Sequence, residues 1–245
     1  MNKIVHATFK GRKHEKDGLP CQDKTYELYN NGVSCLSLSD GAGSAKHSDL
    51  GADISTKVAC RYMCENFDSI ISNNNALEIK QAILKEINDA LSQQATEADI
   101  DLTELAATLL CVAVKDEKYI IFHIGDGVIG YAEKDVIKVA SKPINGEYIN
   151  STVFITTINA AEHAKLLRGN TEKITGFILM SDGTAESFYN RKKKILAPVL
   201  VNFIKKTALL EKEKIQQLIK NSFLELVLKK TQDDCSIGIM SIDVE

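Results

Sequence analysis

Residues 24–44 read KTYELYNNGVSCLSLSDGAGS. Two strand-like runs, at 24–29 and 33–39, flank Asn30-Asn31-Gly32, a strong tight-hairpin signal. The second run, VSCLSLS, leads straight into Asp40-Gly41. A carboxylate at a strand end, with glycine beside it, suits a hard cation: the side chain binds, and glycine lets a backbone oxygen approach closely. The pattern recurs along the chain. GFILM (176–180) runs into Asp182-Gly183, IGDG (124–127) carries Asp126, CQDK (21–24) carries Asp23, and TQDDCS (231–236) carries Asp233 and Asp234. A single Asp-Gly is a turn. Repetition over such a span implies a fold that gathers the carboxylates into one acidic site.

Working outward, residues 3–9 read as a first strand and the polar segment 11–20, ending Gly-Leu-Pro, as a loop. Leu50, Ile54, Val58 and Met63 place an amphipathic helix over 49–71. Asn75, with Glu78 three residues later, opens a second helix through a capping box, with Ile79, Ile83, Ile87 and Leu91 on its apolar face. Runs at 106–114, 119–125 and 128–133 read as an antiparallel meander, with Asp126-Gly127 in a type I′ turn on local grounds. Over 141–175 the periodicity is weak, with a strand-like VFITT (153–157) and a short helix at 160–168. Helices follow near 194–206 and 209–229, and CSIGIMSI (235–242) closes the chain as a strand. Helices arrive in pairs, not singly between strands, which argues for α+β layers in one domain over 1–245.

The 245 residues carry a net charge of −3, with 44% hydrophobic and 26% charged residues. No basic block dominates, so nucleic acid is a poor partner. The one dense basic run, RKKK (191–194), reads as a solvated loop or helix entry; its sharper reading is a docking patch for an acidic or phosphorylated partner. No apolar run spans a membrane and no signal peptide opens the sequence, so a cytoplasmic location is expected. Cysteines 21, 35, 60, 64, 111 and 235 form no C-x-x-C. Cys60 and Cys64 share a helix face, but with no His or Cys partner cluster in view they read as core packing.

Crowded carboxylates repel unless a cation compensates. Two divalent ions about 3.5–4 Å apart can share a carboxylate and a water, and that water becomes a nucleophile near neutral pH. The chemistry this suits is direct in-line hydrolysis of a phosphate ester with no phosphoenzyme. No C-x5-R phosphocysteine motif offers an alternative.

LPCQD (19–23), DGAGS (40–44), ATLL (107–110), IGDG (124–127), GEYINST (146–152), SDG (181–183) and DDCS (233–236) resemble, in order, the metal-dependent Ser/Thr protein phosphatases of the protein phosphatase 2C family, in particular its compact bacterial branch. The resemblance spans residues 11–240. It implies a four-layer α/β/β/α sandwich, two antiparallel sheets flanked by helix pairs, and hydrolysis of phosphoserine and phosphothreonine on proteins. It implies two Mn²⁺ or Mg²⁺ ions and a weaker third. Asp40 would bridge the pair, with the Gly41 carbonyl on one ion and Asp182 and Asp233 on the other. Asp23 would act through a water, and Asp126, with Asp182 and Glu186, would hold the third. Asp234 falls outside this set.

One departure concerns the phosphate. Many members carry Arg five residues before the first Asp, where this chain has Gly18. Arg12, Lys13 and His14 are the upstream candidates for substrate binding. The resemblance gives His14 either a contact to phosphate or protonation of the leaving alkoxide, and His47 is a second candidate acid. His6 and His123 read as structural, and His163 as a surface residue. The stretch 141–175, with Gly146, Glu147, Tyr148 and Asn150, corresponds to a flap that influences substrate choice. An opposing Ser/Thr kinase and a monomeric state complete the expectation. A noncatalytic phosphoprotein-binding module and a hydrolase of small phosphate esters are the alternatives.

Overall fold

A computed structural model describes residues 2–144 and 152–243. The expected first strand is β1 (Lys3–Phe9). The segment expected as a loop holds a short helix, α1 (Arg12–Asp17). Its signal is long-range: the Gly11 N–H donates to Asp234 Oδ1 at 2.6 Å, and the Lys13 N–H to the Gln232 carbonyl at 3.1 Å. No local pattern encodes partners more than two hundred residues away.

The hairpin forms as read. β2 (Lys24–Asn30) and β3 (Val33–Ser39) pair from Asn30↔Val33 to Lys24↔Ser39, with Asn31 and Gly32 both at positive φ. Every residue of β3 is buried. α2 (Ser48–Ser72) and α3 (Ala76–Ala98) follow. Asn75 caps α3, its side chain accepting from the Glu78 N–H at 3.2 Å, and Ile79, Ile83, Ile87 and Leu91 face the core. Only half of the capping box closes, because the Asn75 N–H donates to Asn73 Oδ1 instead.

The meander is only partly right. β4 (Leu109–Lys115) and β5 (Lys118–Ile124) make a hairpin, but β6 (Val128–Glu133) leaves for the opposite sheet, where it pairs with β7 (Val136–Ser141) and β9 (Ile174–Met180). The IGDG segment is therefore a crossing between sheets and not a hairpin turn. Gly125 makes it possible: its φ is 110°, and a Cβ there would lie 2.5 Å from Thr108 Cβ. VFITT is not a strand, although the Ile155 N–H bonds the Ala107 carbonyl. The expected helix at 160–168 shrinks to α4 (Ala160–His163), and β8 (Lys165–Asn170) takes the rest by pairing with β5.

After β9 comes α5 (Asp182–Phe188), then a two-stranded ribbon, β10 (Tyr189–Asn190) and β11 (Ile195–Leu196), whose exposed turn carries the basic run. α6 (Leu200–Leu209) starts later than expected. α7 (Lys212–Ser222) runs into a π-helical turn, Phe223–Val227, and β12 (Cys235–Ser241) ends the fold.

The two antiparallel sheets have the orders β1-β12-β9-β6-β7 and β2-β3-β4-β5-β8. One apolar cluster joins α2 and α3 to the second sheet, including Met63, Phe67, Ile83 and Phe122. A second fills the space between sheets with Leu36, Leu110, Ile121 and Phe177. A third joins α6 and α7 to the first sheet through Ile204, Ile219, Phe223 and Ile237. These three interfaces are the four-layer sandwich, and burial of such apolar surface is its main stabilising term. No helix among the described residues is long and apolar enough to cross a membrane.

The packing also corrects the cysteine reading. Strands bring Cys35 and Cys111 to Cys60, with all three sulfurs within 4.8 Å of one another and fully buried.

Candidate active site

Strand ends deliver the carboxylates. β3 ends at Asp40, whose N–H donates to Thr108 Oγ1 at 3.0 Å while its carbonyl accepts from the Thr108 N–H at 2.8 Å. β9 ends at Met180, Ser181 is the N-cap of α5 and Asp182 opens it. The Ser181 hydroxyl accepts from the Ser236 N–H, tying the start of α5 to β12. Gly183 passes so close to the strand entry that a Cβ would lie 2.2 Å from the Asp234 carbonyl oxygen. Asp126 comes from the sheet crossing, its Oδ2 accepting from the Thr152 hydroxyl at 2.6 Å.

Asp40, Asp126, Asp182 and Asp233 line one cavity of about 280 Å³, together with Gly41, Thr108, Lys13 and His14. Asp23 lies behind it, 1% exposed. Both Asp23 carboxylate oxygens and Asp182 Oδ1 are buried with no hydrogen-bond partner. Burial pushes the Asp23 carboxyl up to about 7; the Ser236 and Ser181 hydroxyls pull it down without closing a hydrogen bond, and Asp234 and Asp182 add repulsion. Burial, then Asp23 and Asp182, hold Asp40 well above the ordinary carboxylate range. Burial and Asp126 raise Asp182 to about 6. A crowd of oxygen donors, three of the oxygens orphaned and three of the carboxyls pushed upward by burial and repulsion, fits a hard divalent cation. Asp23, Asp40, Asp126, Asp182, Asp233 and the Gly41 carbonyl are the groups able to hold it.

Asp234 behaves oppositely. Its Oδ1 accepts from the Gly11 N–H (2.6 Å), and its Oδ2 from the Gln22 N–H (2.6 Å) and His14 Nδ1 (2.9 Å). With both oxygens already accepting backbone N–H groups, Asp234 is the acceptor for a hydrogen on His14 Nδ1, and Nε2 is the ring's other nitrogen. His14 is 7% exposed, not a solvated loop residue. The TQDDCS pair thus divides its work: Asp233 lines the cavity and Asp234 orients His14. Sequence reading set Asp234 aside as a ligand but missed this role. The doubled Asp was its only local signal.

Besides Asp23, three expected residues stay outside the cavity lining. Arg12 turns its guanidinium onto the Thr231 carbonyl, at 2.9 and 3.2 Å, one helical step from Lys13, which does line the cavity. Successive helical residues point about 100° apart, so the two cannot share a task. His47 sits at the start of α2 with Nε2 3.5 Å from Glu104 Oε2. Glu186 is exposed one turn along α5, about 6 Å of helix rise beyond Asp182. Gly146, Glu147, Tyr148 and Asn150 lie outside the described residues.

His123 is structural, as read, and it braces the site. Burial lowers it to about 3, so it is neutral. A carbonyl only accepts, so the 3.1 Å contact to the Gly125 oxygen fixes the hydrogen on Nε2, and Nδ1 accepts from the Ser141 hydroxyl at 2.6 Å. The residue it holds, Gly125 at the crossing, is next to Asp126. His6, bonded to Thr25 Oγ1, lies away from the cavity.

Comparison with known proteins follows the same geometry. The chain is 26% identical over 189 residues to serine/threonine-protein phosphatase 3 of Escherichia coli (strain K12), covering 71% of this chain and 72% of that protein. Its fold matches that of a bacterial serine phosphatase with a TM-score of 0.69 at 16% identity, covering 100% of this chain and 99% of the other. A serine/threonine phosphatase from Staphylococcus aureus matches with a TM-score of 0.66 at 16% identity, covering 100% and 96%. The family model for protein phosphatase 2C matches residues 10–225, and with the carboxylate cavity assembled as described, the chain belongs to that family.

Proposed function

We propose that the protein hydrolyses phosphoserine and phosphothreonine on proteins, dependent on Mn²⁺ or Mg²⁺. The observation that carries this reading is the 280 Å³ cavity in which four aspartates converge beside an oriented histidine and a lysine. Asp40, Asp182, Asp233 and the Gly41 carbonyl would hold two cations, Asp23 would act through a water, and Asp126 would hold a third. Bound there, the cations supply charge neutralisation and a more acidic water. The remaining work falls to the chain. Lys13 places an ammonium beside the phosphoryl oxygens, in the role that Gly18 leaves vacant. His14, held through Nδ1 by Asp234, would in its imidazolium form give its Nε2 proton to the departing serine or threonine alkoxide as water oxygen bonds to phosphorus and the ester P–O bond breaks, and the proton that the water loses would restore Nε2. The noncatalytic alternative drew on Gly18, and Lys13 and His14 in the lining remove that ground. A kinase of Ser/Thr specificity would supply the substrate.

The test is hydrolysis by metal-loaded protein of p-nitrophenyl phosphate, a phosphothreonine peptide and a nucleoside monophosphate. The reading expects Mn²⁺-dependent turnover of the peptide above that of the nucleotide, abolished in Asp40→Asn. Turnover confined to the nucleotide, or none from folded metal-loaded protein, would refute it.

A further inference from the structure

Both sheets end on the same side of the sandwich, in edge strands β7 and β8. A groove of about 360 Å³ opens between these edges and the β10–β11 ribbon, lined by Ser141, Lys142, Lys165, Leu167, Tyr189 and Lys194 among others, with no carboxylate among the described residues of the lining. Several lysines elsewhere have partners: Lys138, on β7 itself, pairs with Glu133, and Lys57, Lys115 and Lys205 pair with Asp53, Asp68 and Asp135. Among the described residues Lys142, Lys165 and Lys194 form no ion pair, and Lys165 Nζ donates only to the Lys142 carbonyl, at 2.8 Å. Burial lowers the Lys165 pKa and the neighbouring Lys142 charge lowers it further. Exposed Arg191, Lys192 and Lys193 extend the positive surface along the ribbon's turn. Crowded cations with no counter-charge favour an anionic occupant, as the crowded aspartates favour a cation.

A buried hydrogen-bond chain links the groove to the reaction site. Ser141, in its lining, bonds His123, which bonds the Gly125 carbonyl next to Asp126 in the carboxylate cavity. A substrate whose phosphorylated residue enters that cavity would carry its flanking residues toward these lysines. Edge strands add unpaired backbone groups that an extended segment can meet.

We propose that this groove docks an acidic stretch flanking the phosphorylated residue of the protein substrate. The proposal rests on the phosphatase reading above and adds the class of sequence that the enzyme prefers.

The experiment compares kcat/KM for a phosphothreonine peptide with three flanking Asp or Glu residues, the same peptide with Gln and Asn in their place, and p-nitrophenyl phosphate. Three charge pairs, two on exposed lysines and one on the half-buried Lys165, give a preference of about tenfold for the acidic peptide, shrinking as salt rises. The triple variant Lys142→Glu, Lys165→Glu, Lys194→Glu should lose or invert it while p-nitrophenyl phosphate turnover stays unchanged. Equal kcat/KM for the two peptides, or a preference that survives the triple variant, overturns the proposal. Fluorescence anisotropy of the labelled, unphosphorylated acidic peptide reads docking without turnover: binding lost in the triple variant supports the groove, and no binding overturns it. Failure of all three substrates to turn over would instead refute the phosphatase reading and leave the groove to the anisotropy result. A DNA duplex displacing the labelled peptide at equal charge concentration would assign the groove to a different polyanion and overturn the peptide assignment.

Discussion

Around Asp234 both carboxylate oxygens have donors, two backbone N–H groups and one imidazole, whereas nearby Asp23 and Asp182 bury oxygens with no hydrogen-bond partner among the described residues. Both regions sit where β12 meets α1 and α5. The difference lies in what compensates each charge. At Asp234 the protein's own dipoles do, so the group is structural and fixes His14. At Asp23, Asp40 and Asp182 nothing in the described chain does. Burial and mutual repulsion then raise all three pKa values, which is the electrostatic signature of a place kept for a cation.

Substitution on each side should separate the two. Asp40→Asn should lower kcat by about 10³-fold or more, roughly 4 kcal/mol of transition-state stabilisation. In metal-free protein its urea midpoint should be no lower than the parent's, because a repelling charge has been removed. A large loss of metal-free stability would place Asp40 with Asp234 as structural and break the contrast.

Asp234→Ala should do the reverse in stability. It leaves the buried Gly11 and Gln22 N–H groups unpaired and frees His14, at a cost of about 3–4 kcal/mol in urea unfolding. Metal affinity, measured where the variant remains folded, should change far less.

His14→Gln sharpens the link between the regions. With an alkoxide leaving group kcat should fall about 10²-fold, but p-nitrophenolate leaves without a proton and its release should barely change. Equal losses on both substrates would make His14 a phosphate ligand and not an acid.

The smallest effect concerns pH. Asp23 has a folded pKa raised to about 7 from an ordinary 3.8. Between those values the folded protein binds more protons than the unfolded chain, so metal-free stability falls as pH rises through that window. A divalent cation competes with those protons. The Mn²⁺-induced rise in Tm should therefore be larger at pH 8 than at pH 6, amounting to about 2–3 kcal/mol at a hundredfold excess over Kd. A shift independent of pH would remove Asp23 and its neighbours from the cation's surroundings.

Much of this was legible locally. The Asn31-Gly32 turn, the Asn75 cap and the apolar face from Ile79 to Leu91 depend on residues a few positions apart, and strand-end aspartates announce themselves by the buried runs before them. What sequence reading missed depends on distance or direction. Helix α1 is capped by Asp234 from the far end of the chain. β6 continues the pattern of its neighbours but is carried to the other sheet by one backbone angle at Gly125. Arg12 and Lys13 are equivalent as letters and differ only in which way a short helix turns them. The cysteines gave no pattern because Cys35, Cys60 and Cys111 meet only through packing.

The most direct measurement is calorimetric titration of metal-free protein with Mn²⁺, in the parent and in Asp40→Asn, Asp182→Asn and Asp234→Asn. The account predicts uptake of at least two ions by the parent, loss of binding in the first two variants and near-parental binding in the third. No uptake by the folded parent, or equal uptake by parent and Asp40→Asn, would contradict it.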